Sequence, residues 1–500
     1  MTNYRIIFTL LCCLSFIGCG DGDDEPSGGP KPALSMTIAS SGANSVTLNM
    51  KRTNATSVKI IYKATGVITS ETAQSVAQNG TQYTGTTVEI DGLAAQTTYT
   101  VFAVACNDSG EYSQMQYVRF TTDAPGPQMY PWEQSRNGIL SYTDMVLCYG
   151  GSHHRTPFLW DKERLAPYVT YVDKEGTEHW LFDGFIFLEF QDTNRPDAEL
   201  YAFETGHLRD TGESAGKAQW QELIDYYFTD GNGVEALEEA VKEAAARLGK
   251  APQKHKVIMV LPDPVIHRHY IDTTSSTTYW GALDGQQLDF SRNEDRIAAC
   301  KWYIDRVRER FARGNYEHVE LAGFYWLREI VTRPVDTQYS YHLTRSDIML
   351  PHIADYLHKL DYTFSWIPYY GSRGYDVWQQ FGFDQVYLQP NYYWKPQNDM
   401  DEVCRQIDSL GIGMEIEFEP TLLDAREGSG TFRARLRDYI DYAKRRNIYG
   451  KRPFAYYHGT NGFYDLHASD DEADRELFDE LCQFIINNPL RAQRPTTDRK

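Results

Sequence analysis

Basic residues are in short supply. The 500-residue chain sets only 49 Lys and Arg against 69 Asp and Glu, a formal charge of −20, and such a balance cannot build the phosphate-neutralising face that nucleic acid requires. Long apolar runs are missing too: the most hydrophobic stretch, Ile6 to Ile17, falls short of the roughly 20 residues of a spanning helix. Of the eight Cys the five beyond residue 19 are widely spaced, and no C-x-x-C or Cys/His ligand spacing occurs, which argues against a disulfide framework and a zinc site. No G-x-S-x-G elbow, phosphate loop or dinucleotide fingerprint occurs, so no cofactor is expected. Aromatic residues are abundant instead: 35 Tyr, 23 Phe and 10 Trp make 14% of the chain. Such rings either fill a large core or present flat faces to a ligand. The hydrophobic share of 41% is ordinary for globular protein, and the length exceeds one ordinary domain of about 150 residues.

Residues 1–18 carry Arg5, the apolar run and a terminal small residue, the pattern of an export signal. Phe16-Ile17-Gly18-Cys19 resembles the bacterial lipoprotein cleavage box, with Phe16 where Leu is usual, and the resemblance implies that Cys19 is lipidated. The run Gly20-Asp21-Gly22-Asp23-Asp24-Glu25 resembles the acidic tag of surface-exposed Bacteroidetes lipoproteins. An outer-membrane lipid anchor facing the cell exterior is the implied location; plain secretion is the alternative. Residues 19–33, rich in Gly, Pro and Asp, read as an acidic flexible tether. Cys106, Cys148, Cys300, Cys404 and Cys482 are expected to be buried free thiols.

From residue 34 to 123 short alternating runs such as Val46-Thr47-Leu48-Asn49-Met50 and Thr98 to Ala105 predict an all-β sandwich. Leu93 to Tyr99 and Phe120-Thr121-Thr122 resemble the sixth-strand approach and last strand of a fibronectin type III module, with Ala95 replacing the usual Pro and Tyr99 forming the tyrosine corner. The module carries no chemistry and reads as a spacer. Residues 124–131 form a linker.

The remainder, 132–490, alternates strands with amphipathic helices, and 491–500 is a flexible tail. Eight strands are predicted: Asp144–Gly150, Phe182–Phe190, Lys256–Leu261, Glu320–Arg328, Thr363–Tyr369, Gln385–Gln389, Gly413–Phe418 and Pro453–His458. Ile297, Cys300, Ile304, Val307 and Phe311 recur at helical steps, with Gly314 expected as the stop; Met400, Val403, Ile407 and Leu410 do the same before Gly411. Eight such units predict a multidomain chain ending in an α/β (β/α)8 (TIM) barrel; a doubly wound open sheet is the runner-up. Strand-to-helix connections are the long ones (191–217, 262–293, 330–345, 458–470), which places function at the C-terminal ends of the strands.

There the acids concentrate. In Gly413 to Pro420, GMEIEFEP, a period of two turns Glu415, Glu417 and Glu419 into the barrel, an expensive placement unless they are paired or functional. Arg328 is a candidate to neutralise them. Glu329 ends the fourth strand, and two carboxyls across one mouth are what glycoside hydrolysis needs: an acid for the departing oxygen, and a carboxylate to attack the anomeric carbon or activate water. The arrangement resembles the retaining glycosidases with acid/base on strand four and nucleophile on strand seven, except that Arg328 stands where Asn is usual. The resemblance assigns Glu329 as acid/base and Glu417 as nucleophile, with Glu419 as substitute. Glu189 either binds substrate or anchors a loop. Trp326, Tyr369, Tyr370, Tyr392, Tyr393, Trp394, Tyr279 and Trp280 fall at strand ends or in long loops and are candidate sugar-stacking rings or loop packing. Gln389, Asn391, His458 and Arg328 are candidate polar contacts to substrate. His153-His154 is an adjacent pair, whose side chains diverge, and His267 and His269 alternate within an insertion; neither supports a metal.

The strands GFIFLEF (184–190), GFYWLRE (323–329) and GMEIEFEP resemble those of Bacteroidetes lipoproteins catalogued as a domain of unknown function, which implies the architecture and no activity. The leading expectation is a cell-surface glycoside hydrolase acting on a complex glycan alongside other surface glycan-utilisation proteins. The alternatives are a non-catalytic glycan-binding lipoprotein and a structural surface protein.

Overall fold

A computed structural model describes residues 30–64, 71–94, 97–123, 142–150, 158–192, 200–249, 251, 253–269, 274–331, 346–459 and 461–493. Cys19, the 124–131 linker and His153-His154 lie outside them. The chain divides into two compact units, Met1–Pro125 and Gly126–Lys500.

Among the described residues seven strands build the first unit: β1 (Ala33–Ser41), β2 (Val46–Thr53), β3 (Ser57–Ala64), β4 (Thr81–Tyr83), β5 (Thr87–Ile90), β6 (Thr98–Cys106) and β7 (Gln116–Thr121). They form two antiparallel sheets, β1-β2-β5 and β4-β3-β6-β7. Alternation buries one side of β2 and β5, and Leu48, Val58, Ile60, Val88 and Val101 share one core, while β6 is buried on both sides. The Tyr99 hydroxyl accepts the Ala94 amide at 2.8 Å, tying the approach of β6 back onto itself.

The second unit is a closed barrel of eight parallel strands in chain order: β8 (Asp144–Tyr149), β9 (Gly184–Leu188), β10 (His255–Leu261), β11 (Val319–Trp326), β12 (Thr363–Trp366), β13 (Gln385–Leu388), β14 (Gly413–Glu417) and β15 (Phe454–Tyr457), which returns to β8. Every stave falls on a predicted strand. Closure excludes the open-sheet alternative. Strands buried on both faces read as continuous apolar runs, and β8 to β11 do so. Gly323 lets β12 approach β11 closely, because a Cβ there would collide with Thr363.

Helices occupy the connections, among them α1 (Lys162–Val169), α2 (Lys217–Tyr227), α3 (Val234–Leu248), α4 (Asn293–Gly314), α5 (Ser346–Lys359), α6 (Met400–Leu410) and α7 (Ser429–Arg445). In α6 the Asp399 side chain caps the first turn and Gly411, at φ 74, ends the last. Its Met400, Val403 and Ile407 are buried, each favouring the fold by roughly 1.5–3 kcal/mol. Helix α4 ends at Gly314 as expected, and the left-handed residue that follows it is Asn315 at φ 47, a turn Asn also tolerates. The stretch 458–470, expected as a long loop, contains α8 (Gly462–Ala468), held by buried Phe463 and Leu466. All five cysteines named above are free; four are buried and Cys106 is half-buried. Among the described residues no helix is long and apolar enough to cross a membrane.

Candidate active site

The inward face of β14 presents carboxyls at every second residue. Glu415 and Glu417 are 2% and 1% exposed, and Glu419 follows past the strand end. All three line a cavity of about 340 Å³ with Glu329, Gln389, Asn391, Trp394 and His207, walled by Leu147, Tyr149, Phe190, Tyr325 and Tyr457. These residues come from the C-terminal ends of β8, β11 and β14–β15 and from the loops after β9, β11 and β13, so the cavity is the mouth of the barrel.

Its electrostatics follow from crowding acids in a dry place. Burial pushes Glu417 up to about 8 and the charge of Glu329 adds to the rise, against the Tyr439 hydroxyl, the Asn391 backbone amide and Lys395. Glu415 is raised well above the ordinary carboxylate range by burial first, then by Glu417 and Glu329. Glu329 accepts from the Gln389 amide at 2.8 Å, and that amide also donates to the Ile367 carbonyl, which fixes its orientation. Tyr457 donates to Glu419 at 3.2 Å. Asn391 reaches Glu417 from a backbone held at φ 54, a conformation Asn accepts more readily than most residues.

A second acid supports the rim. Glu204 accepts the amides of Gly206 and His207 and pairs with the His207 ring at 2.6 Å, while Phe190 stacks on that ring at 4.8 Å. Burial opposes its charge, yet His207, Arg328 and the Gly206 amide together hold Glu204 below its usual range.

Of the residues expected at the site, the cavity brings together Glu329, Glu417, Glu419, Gln389, Asn391 and Trp394. Five others lie elsewhere. Arg328 does not neutralise the β14 glutamates: buried, it pairs with Asp263 at 3.2 Å. Trp326 is fully buried outside the cavity, because alternation along β11 turns Tyr325 inward in its place. His458 is packed among Trp160, Tyr168 and Phe418, meets the Leu147 carbonyl at 2.9 Å, and is pushed down to about 4 by burial. Glu189 accepts its neighbour Phe190's amide at 2.8 Å, and Phe190 lines the cavity instead. Tyr369 bridges to Gln389 through its backbone and does not line the cavity. The remaining aromatic candidates lie outside the cavity lining: Tyr370 donates its backbone amide to the Gln389 carbonyl at 2.8 Å, Tyr392 bonds Asp438, Tyr393 bonds Thr421, Tyr279 bonds the Val265 carbonyl, and Trp280 sits among Trp220, Phe290 and Trp302. Tyr149, Tyr325, Tyr457, Phe190, Tyr439 and His207 are contributors that sequence reasoning passed over. His269 lies 3.4 Å from Glu213, beside the Arg268–Glu213 pair. Among the described residues no group of three or more His, Cys, Asp and Glu is arranged to hold a metal.

Residues 144–483, the whole barrel and its last helices, match a family described as a domain of unknown function, DUF4855. The chain belongs to the DUF4855 family. Its cavity therefore lies wholly within the DUF4855 segment. No curated protein matches the chain. Among solved structures, chitinase ChiA74 from Bacillus thuringiensis is similar at 22% identity and TM-score 0.15, over 19% of this chain and 14% of the chitinase. The fn3 domain of human collagen alpha-1(XX) is similar at 20% identity and TM-score 0.16, over 21% of this chain and all of that domain. At those values neither likeness bears on what the DUF4855 barrel does.

Proposed function

We propose that the barrel is a TIM-type glycoside hydrolase acting on a complex glycan. The observation that carries the reading is that Glu329 and Glu417, from different strand ends, line one aromatic-walled cavity. Glu329 is the acid/base and Glu417 the nucleophile of a retaining reaction: Glu329 protonates the departing oxygen as Glu417 bonds to the anomeric carbon, and water then releases the sugar with Glu329 taking its proton. Burial lets Glu417 hold a proton up to about pH 8. Attack requires that the pair's proton reside on Glu329, and positive charge growing at the anomeric carbon against Glu417 favours that redistribution. Trp394, the exposed ring at the mouth, stacks on the sugar.

The cellular setting belongs to the same proposal. Lipid on Cys19 anchors the protein in the outer membrane facing outward, the N-terminal unit is a fibronectin type III-like spacer, and other surface glycan-utilisation proteins act beside it. The test is a screen of host and plant polysaccharides for product release by the purified mature chain, the Glu329→Gln and Glu417→Gln variants serving as controls. Release that falls by about 10²–10⁴ in either variant supports the reading. Glycan binding without turnover by the unaltered chain refutes it in favour of capture.

A further inference from the structure

Hydrolysis uses two carboxyls, and this cavity holds four. Glu415 is the surplus that most needs an explanation: it is 2% exposed, faces the cavity, and forms no hydrogen bond with any described residue. Glu417, Glu329 and Glu419 each have a donor from the protein. Among the described residues no Lys or Arg lines the cavity, and the His that does, His207, is bound to Glu204. A buried carboxyl without a donor destabilises the empty site, and a ligand that brings a hydrogen-bonding positive charge relieves that cost.

We infer that the cavity takes a sugar bearing a free ammonium group, an amino sugar that is not N-acylated, with Glu415 as the counter-ion of the ammonium; the inference rests on the glycosidase reading of this site. A neutral hydroxyl can donate to Glu415 but offsets none of its charge, whereas an ammonium donates up to three hydrogen bonds and attracts all four acids. The lining also holds the aromatic rings Tyr325, Trp394 and Tyr457, whose faces attract a partly desolvated cation. An N-acetyl group would set a methyl and a carbonyl, with no charge, against carboxyl oxygens. The cavity of about 340 Å³ lies at the small end of ligand sites, fit for one sugar ring with a compact substituent.

The experiment is calorimetric titration of the mature chain carrying Glu329→Gln, which blocks turnover, with glucosamine and galactosamine oligosaccharides and with their fully N-acetylated counterparts. A buried charge-assisted hydrogen bond gives the free amines an advantage of about tenfold to a hundredfold, eroded by added salt. Adding Glu415→Gln brings the two ligand sets within about threefold. Equal binding of the two sets, binding of neither, or a preference untouched by Glu415→Gln in a protein with native circular dichroism overturns the inference. Should Glu415→Gln fail to fold, the preference in the Glu329→Gln protein and its loss with salt carry the decision. Product release by the unaltered chain separates the two readings. Cleavage of neutral or N-acetylated glycans with no amine preference removes the amino-sugar assignment and keeps the hydrolase; amine-selective binding without release from any glycan does the reverse.

Discussion

Replacing Glu417 by Gln should stabilise the protein, and increasingly so as pH rises. The folded state holds this carboxyl's proton up to about 8, against an ordinary value of 4.5. Below 4.5 both folded and unfolded chains are protonated and the group is neutral in its effect. Between 4.5 and about 8 the unfolded chain has released a proton that the folded chain keeps, so stability falls as pH climbs through this window. At about 1.4 kcal/mol per pH unit the interval sets a ceiling of about 5 kcal/mol. Glu415 and Glu329 share the repulsion and relax when it is removed, which brings the expectation to about 2–3 kcal/mol at pH 8.5. Gln keeps the shape and can still accept from Tyr439, so the difference near pH 4.5 should be close to zero. Urea unfolding of both proteins at pH 4.5, 6.5 and 8.5 measures it. A variant equally stable or less stable at pH 8.5, or a difference that does not change with pH, would refute the assignment of Glu417 as a carboxyl neutralised by burial.

Other expectations follow from the same geometry. The rate of glycan cleavage should fall above about pH 8 as the acid pair loses its last proton; a pH profile still climbing through 9 would remove Glu417 from the pair. Arg328→Met should cost about 3–5 kcal/mol in urea unfolding, because it leaves Asp263 buried without its cation, and a loss under about 1 kcal/mol would show the pair to be unimportant. Trp394→Ala should raise KM about tenfold by removing an aromatic contact while leaving the melting temperature unaltered, since the ring is 41% exposed and rests edgewise on Tyr457. An unchanged KM would take Trp394 out of the substrate path.

The barrel was legible because its signals are local. A strand buried on both faces shows as an apolar run, and helices such as α6 announce themselves by the three-and-four spacing of Met400, Val403 and Ile407 between Asp399 and Gly411. The stretch 458–470 reads as a loop because α8 spans only seven residues, too few for a helical period to show. The partners of buried charges were beyond reach for a different reason. Asp263 and Arg328 are 65 residues apart and Glu417 and Tyr439 are 22 apart, and no local pattern links them; only closure of the barrel does.

Three of the five misplaced site residues share one cause. Glu189, Trp326 and His458 each stand one position from a residue that does line the cavity: Phe190, Tyr325 and Tyr457. Chemistry picked the polar or large residue near each strand end, but a side chain's direction is set by its place in a period of two, and one step reverses it. On β14 the two criteria coincide, since the acids themselves occupy every second position, and there the reading placed all three glutamates in the cavity. Parallel register carries that information to the next strand: Glu417 pairs with Tyr457 and Glu415 with Ala455, and paired residues at one level of a barrel face the same way. Counting from Glu417 through the register therefore selects Tyr457 over His458, without reference to which of the two is the better hydrogen-bonding group.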